Sequence, residues 1–172
     1  MQKRPNAVTF KGNPVTLVGP QLKAGDKAPD FACLVGLDAV TLAKTPAKAR
    51  VFSVVPSLDT GVCSMQTKKF EEALSSLSDK VASYTVSLDL PFAQKRFCGA
   101  ENIKNMQTLS DVHDHSFGTN YGVLMEGLPL PLLCRAVFVV DKNGNVTHAE
   151  YVSEVTTEPN YDAAVAAVKK LV

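Results

Sequence analysis

Four cysteines, Cys33, Cys63, Cys98 and Cys134, are the side chains of this sequence best suited to nucleophilic or redox chemistry. No two are spaced C-x-x-C, so neither a zinc knuckle nor a dithiol redox motif is present. Each must be weighed alone, against the ordinary fate of a free thiol as a small packed hydrophobe. Cys63 differs from the rest in its setting. The stretch Pro56-Ser57-Leu58-Asp59-Thr60-Gly61-Val62-Cys63 joins an apolar run to a segment of helical period, which places Cys63 in or near a helix's first turn. Unpaired N–H groups and the positive end of the helix dipole favour an anion there. A free thiol is only ~3% ionised at pH 7. Ionising most of it takes about 2.7 kcal/mol of differential stabilisation. A helix terminus supplies ~0.3–1 kcal/mol, up to ~2 in a partly buried geometry. A cation and a hydroxyl donor are therefore required as well.

Thr60, three residues before Cys63, could reach the sulfur or simply cap the helix. Arg135 stands between the apolar run Pro129–Leu133 and the strand-like Ala136–Val140. An arginine in such a place either holds a specific anion or is an exposed strand-end charge. Cys98 falls at the end of a short helical segment opened by Pro91. It is a partner candidate for Cys63, but spacing alone does not bring two sulfurs within the ~4.4–6.8 Å Cα separation of a disulfide.

The positioning elements follow from hydrophobic period. Val8 and Phe10, a Gly12-Asn13 turn, then Val15 and Leu17 read as a hairpin. Glycines and prolines from Gly19 to Gly36 break the chain, so the segment to about Leu37 reads as loop with short extended pieces. Arg50–Pro56 reads as a strand buried on both faces. From Cys63, the residues Phe70, Ala73, Leu74 and Leu77 make an inward helical stripe, while Lys68, Lys69, Glu71 and Glu72 point outward. A strand is expected over 81–88 and a helix from Pro91 to Cys98, ended by Gly99. A short strand at 106–109, a short helix at 114–120 and a strand at 136–140 come next. Asn143-Gly144 then turns the chain into a strand at 146–152. The last helix carries Tyr161, Ala164, Val165, Val168 and Leu171 on one stripe. Crossover helices imply parallel pairing in the first half, and the Asn143-Gly144 hairpin antiparallel pairing in the second. This is an α/β protein of thioredoxin-like architecture: a mixed central sheet flanked by helices and entered through an N-terminal β-hairpin.

Composition bounds the function. The chain has 172 residues, expected to form one domain over 1–172, with 18 Lys+Arg against 17 Asp+Glu. That balance argues against binding nucleic acid or anionic membrane by bulk charge. No apolar run reaches the ~18 residues of a membrane helix. The first residues carry no apolar segment of signal-peptide length, so a cytoplasmic location is expected. His113-Asp114-His115 reads as a solvated loop, since two ligands rarely make a metal site. Cys33 and Cys134 read as packed thiols.

The Pro-x-x-x-Thr-x-x-Cys run at 56–63 resembles that of the peroxiredoxins. Gly12–Thr16, Asp89–Gln94, Arg96-Phe97-Cys98-Gly99-Ala100, Arg135-Ala136 and Thr156–Pro159 narrow the likeness to the bacterial Tpx-type thiol peroxidases, atypical two-cysteine peroxiredoxins. The resemblance covers nearly the whole chain. It implies a thiol-dependent peroxidase for hydrogen peroxide and alkyl or lipid hydroperoxides, with Cys63 as the peroxidatic nucleophile. It implies that Arg135 holds the sulfur ionised and binds peroxide, that Thr60 orients the approach, and that Pro56 shields the site. Cys98 would resolve the Cys63 sulfenic acid as an intrachain disulfide that thioredoxin reduces. No cofactor or metal is implied. A homodimer is implied, and the apolar stretch Gly127–Leu133 suits an interface or a greasy channel.

Three other readings use the same residues. A dithiol oxidoreductase lacks its C-x-x-C motif. A cysteine hydrolase needs a histidine base, and His113, His115 and His148 belong to no hydrolase signature. A non-enzymatic redox sensor or relay would use the same cysteine and pass its oxidation to a client.

Overall fold

The computed structural model describes residues 1–172. The chain opens with the antiparallel hairpin of β1 (Lys3–Phe10) and β2 (Asn13–Val18), turned by Lys11-Gly12 at positive φ. Further along, β5 (Ala49–Val54), β6 (Val81–Ser87) and β7 (Gln107–Ser110) pair in parallel. They are linked by the crossover helices α1 (Gly61–Leu74) and α2 (Pro91–Ala100). After α3 (Ser116–Asn120), the short strands β8 (Leu124–Glu126) and β9 (Leu132–Leu133) extend the entry hairpin into a four-stranded sheet, β1-β2-β8-β9. β10 (Ala136–Val140) lies antiparallel to β5 and turns at Asn143-Gly144 into β11 (Val146–Tyr151). The helix α4 (Tyr161–Lys169) follows, its first turn capped by the Asn160 side chain, which accepts from Ala163 N.

β3 (Ala32–Val35) and β4 (Asp38–Thr41) complete a seven-stranded sheet in the order β11-β10-β5-β6-β7-β3-β4. This mixed sheet flanked by helices is the thioredoxin-like architecture expected from the element order.

β5 is buried along its full length because both of its faces are covered. Phe52 and Val54 join the aromatic cluster of Phe31, Phe117, Tyr121 and Phe138, beneath α3 and the smaller sheet. Ala49 and Val51 face Phe70 and Leu74 of α1 and Ala164 and Val168 of α4. Burying each such side chain contributes about 1.5–3 kcal/mol. The frame that carries the 55–63 loop is thus clamped from two sides.

The segment read as loop with short extended pieces supplies β3, which pairs around Gly36 at φ +59 with β4, a strand not read from the sequence. Both have four residues, too short to show a period, and β4 is the edge of the sheet. Gly99 lies inside α2 rather than ending it; the left-handed residue past the helix is Asn102, φ +57. Ala73 is exposed, and Gln66 and Thr67 share the buried face of α1 with Phe70 and Leu74. The apolar stretch Gly127–Leu133 ends in a strand, Leu132–Leu133 forming β9.

Candidate active site

Cys63 is the third residue of α1 and is fully buried. The loop before it is held by Asp89, just past β6. Asp89 accepts from Ser57 Oγ and Leu58 N at 2.8 Å each, and from Ser87 Oγ at 2.7 Å. Residues 57–58 are thereby fixed to the end of β6, and the first turn of α1 starts from a defined point.

Arg135, immediately before β10, is only 2% exposed and extends toward this turn. Its Nη2 lies 3.5 Å from Cys63 Sγ, Nη1 donates to Gln66 Oε1 at 3.0 Å, and Nε donates to the Val155 carbonyl at 2.7 Å. Gln66 is anchored in turn by donating Nε2 to Ser53 Oγ at 2.7 Å. No carboxylate makes an ion pair with Arg135. A buried cation held only by neutral acceptors leaves its charge free to act on the sulfur. Helix terminus and guanidinium are two of the three sources of stabilisation expected from the sequence; no hydroxyl donates to the sulfur.

Thr60 takes neither of the roles open to its hydroxyl. Its Oγ1 donates to the Ser57 carbonyl at 3.0 Å, and no side-chain cap bond forms. The backbone of Thr60 still starts the helix, its carbonyl accepting from Ser64 N at 3.0 Å. Pro56 is buried. With Thr60, Gly61, Val62, Arg135 and Val155 it lines an opening of about 250 Å³.

Cys98 is half-buried in the last turn of α2 and packs on the cluster of Val55, Leu58, Cys63 and Phe97. Its thiol is free, and burial, with Glu71 adding to it, pushes its pKa up. α1 and α2 are joined at the surface by the Lys68–Glu101 pair at 2.7 Å. Cys134 is buried, its pKa pushed up to about 12 by burial, and Cys33 is likewise raised by burial and by Asp111, whose Oδ1 lies 3.7 Å away. Both thiols belong to the large core cluster rather than to the one that holds Cys63. His113 is exposed on its loop.

A family model described as Redoxin matches residues 23–165. The chain is 52% identical to a thiol peroxidase of Bacillus subtilis (strain 168) over 166 residues, which is 96% of this chain and 98% of the relative. It is 54% identical to a thiol peroxidase of Streptococcus sanguinis over 95% of this chain and 99% of the relative. The chain belongs to the Redoxin family as a thiol peroxidase. The crystal structure of a peroxiredoxin-like protein from Aquifex aeolicus superposes on this thiol peroxidase with a TM-score of 0.90 at 46% identity, covering 97% and 98% of the two chains. A thiol peroxidase from Chromobacterium violaceum, 18% identical, shares the fold with a TM-score of 0.85 over 95% of each chain.

Gln66 is the site residue of this thiol peroxidase that sequence reasoning missed. The available signal was a polar pair, Gln66-Thr67, at the inward positions four and three residues before Phe70. No helix in the structure is long and apolar enough to cross a membrane.

Proposed function

We propose that Cys63 attacks hydroperoxides as a thiolate held by Arg135 and that Cys98 resolves the product. The observation that carries this reading is the buried guanidinium 3.5 Å from the Cys63 sulfur with no competing carboxylate. The thiolate displaces the distal oxygen's leaving group, so the O–O bond breaks and an S–O bond forms. The departing alkoxide or hydroxide takes a proton and leaves as alcohol or water, and Cys63 becomes a sulfenic acid. Arg135 stabilises negative charge as it moves from sulfur to oxygen. Pro56 limits water at the opening, and Thr60 rotates from the Ser57 carbonyl to orient the peroxide.

Resolution needs the Cys98 thiol to give up its proton and attack the Cys63 sulfenic sulfur, forming the disulfide and releasing water. Both thiols are free in the folded form, and closing the disulfide opens the Cys63 turn and the end of α2. Lys68–Glu101 and Arg96–Asp59 are exposed pairs that oppose this by no more than ~0–1 kcal/mol each. A local opening of this kind is far less costly than unfolding. A dithiol protein of the thioredoxin class would reduce the disulfide by exchange and regenerate both thiols. Hydrogen peroxide and organic hydroperoxides are the proposed substrates, residues 1–172 act as one domain, and the enzyme works as a cytoplasmic homodimer. Multiple turnover with thioredoxin, its reductase and NADPH tests this reading. A single stoichiometric oxidation without turnover would favour the sensor or relay instead.

A further inference from the structure

The peroxide chemistry leaves one buried cation unused. Arg50 lies near the start of β5, at the end opposite the Cys63 loop, and is 5% exposed. By strand alternation it shares the face of Phe52 and Val54. Its Nη1 donates to the Asp141 carbonyl at 2.9 Å. Nε is buried with no partner, and no carboxylate makes an ion pair with the guanidinium. An arginine is almost never this buried unless paired, because its desolvation is left uncompensated.

Arg50 is among the residues lining a surface cavity of about 510 Å³, whose wall also carries Lys27 and Lys142. Both lysines are exposed. The one carboxylate on the wall, Asp30, has Oδ1 engaged by the amides of Phe31 at 2.8 Å and Leu42 at 3.0 Å. The wall is preformed. Lys27 bridges to Asn145, and Ala28 N donates to the Gly144 carbonyl at 2.8 Å, fastening the Lys27 segment to the Asn143-Gly144 turn. A second cavity sharing Lys142 and Asn143 is lined by Lys48, Lys80 and Lys170 and by Asp79 and Asp141, so lysines outnumber carboxylates on both walls.

We propose that the Arg50 cavity binds a small molecule bearing a multivalent oxyanion, a phosphate or a dicarboxylate, at a site separate from the peroxide centre. The planar fork of Arg50 supplies directed donors and the two lysines supply point charges, a combination suited to such groups. The cavity volume lies in the range of small-molecule sites.

The test titrates the reduced full-length protein with inorganic phosphate and, separately, with succinate, against sodium chloride at matched ionic strength. Amide chemical shifts at Asn143 and Gly144 and the thermal midpoint are read together. At least one probe should saturate, and which one does decides between phosphate and dicarboxylate. The Lys27→Ala/Lys142→Ala double variant should bind about fivefold more weakly or worse while keeping peroxidase turnover. Arg50→Gln should lose about tenfold or more. Because the lysines are exposed, the double variant keeps the test decisive if Arg50→Gln folds poorly. The proposal is overturned if neither probe saturates, or if the double variant binds as tightly as the parent.

Discussion

The link between Gln66 and Arg135 predicts a crossing of stability and rate. Gln66 is fully buried and gives Arg135 Nη1 its acceptor at 3.0 Å. Gln66→Met keeps the volume but removes that acceptor, and hydrogen bonds to charged groups contribute ~1.5–3 kcal/mol. If half of that loss falls on placing the guanidinium beside the sulfur, oxidation of Cys63 slows by roughly 4- to 12-fold. Gln66→Glu retains an acceptor but sets a carboxylate against the cation that the sulfur needs. It should therefore fold more stably than Gln66→Met and yet react more slowly. The chain contains no tryptophan. Rapid quenching with an alkylating agent followed by intact mass is accordingly the assay for single-turnover oxidation, with thermal midpoints measured in parallel. Oxidation at the parent rate in Gln66→Met, or rates ranked in the same order as stabilities, would refute the reasoning.

Three further outcomes follow from the same geometry. In Cys98→Ser, repeated peroxide additions should convert Cys63 to sulfinic acid well beyond the parent level, as read by peptide mass, and equal amounts would count against Cys98 as the resolving thiol. Glu154 is held at about pKa 2, below its ordinary 4.5, chiefly by hydrogen bonds from Thr156 and then from Gly12 and Thr9. Its folded value is depressed, so its contribution is complete above about pH 4.5 and is lost as pH falls toward 2. Amide exchange at Gly12 and Thr156 should quicken across that window in the parent, and Glu154→Gln should show fast exchange without the pH step. Phe70→Ala empties a fully buried position whose ring meets Tyr161 edge-on at 5.1 Å, and it should cost about 3–5 kcal/mol by denaturant unfolding.

The central strands and crossover helices were legible because burial on two faces demands continuous apolar runs, as at Val51–Val55 and Ala136–Val140. Short edge strands escaped notice. β4 and β9 have four and two residues, so their pairing is decided by neighbours that the local sequence does not contain. The same distinction runs through the site. Cys63 announces itself by a local strand–loop–helix pattern. Gln66, by contrast, gains its meaning from Ser53 on β5 and Arg135 before β10, contacts made only by the tertiary fold. The Thr60 hydroxyl bonds back three residues to the Ser57 carbonyl, a local competitor of the cap that residue type alone does not reveal.

Reduced protein treated with one equivalent of hydroperoxide, then mapped by intact mass and peptide analysis, probes the proposed nucleophile and its partner at once. The account predicts loss of two hydrogens with Cys63 joined to Cys98, and no peroxide consumption above background in Cys63→Ser. Oxidation centred on Cys33 or Cys134, or undiminished peroxide reduction in Cys63→Ser, would contradict it.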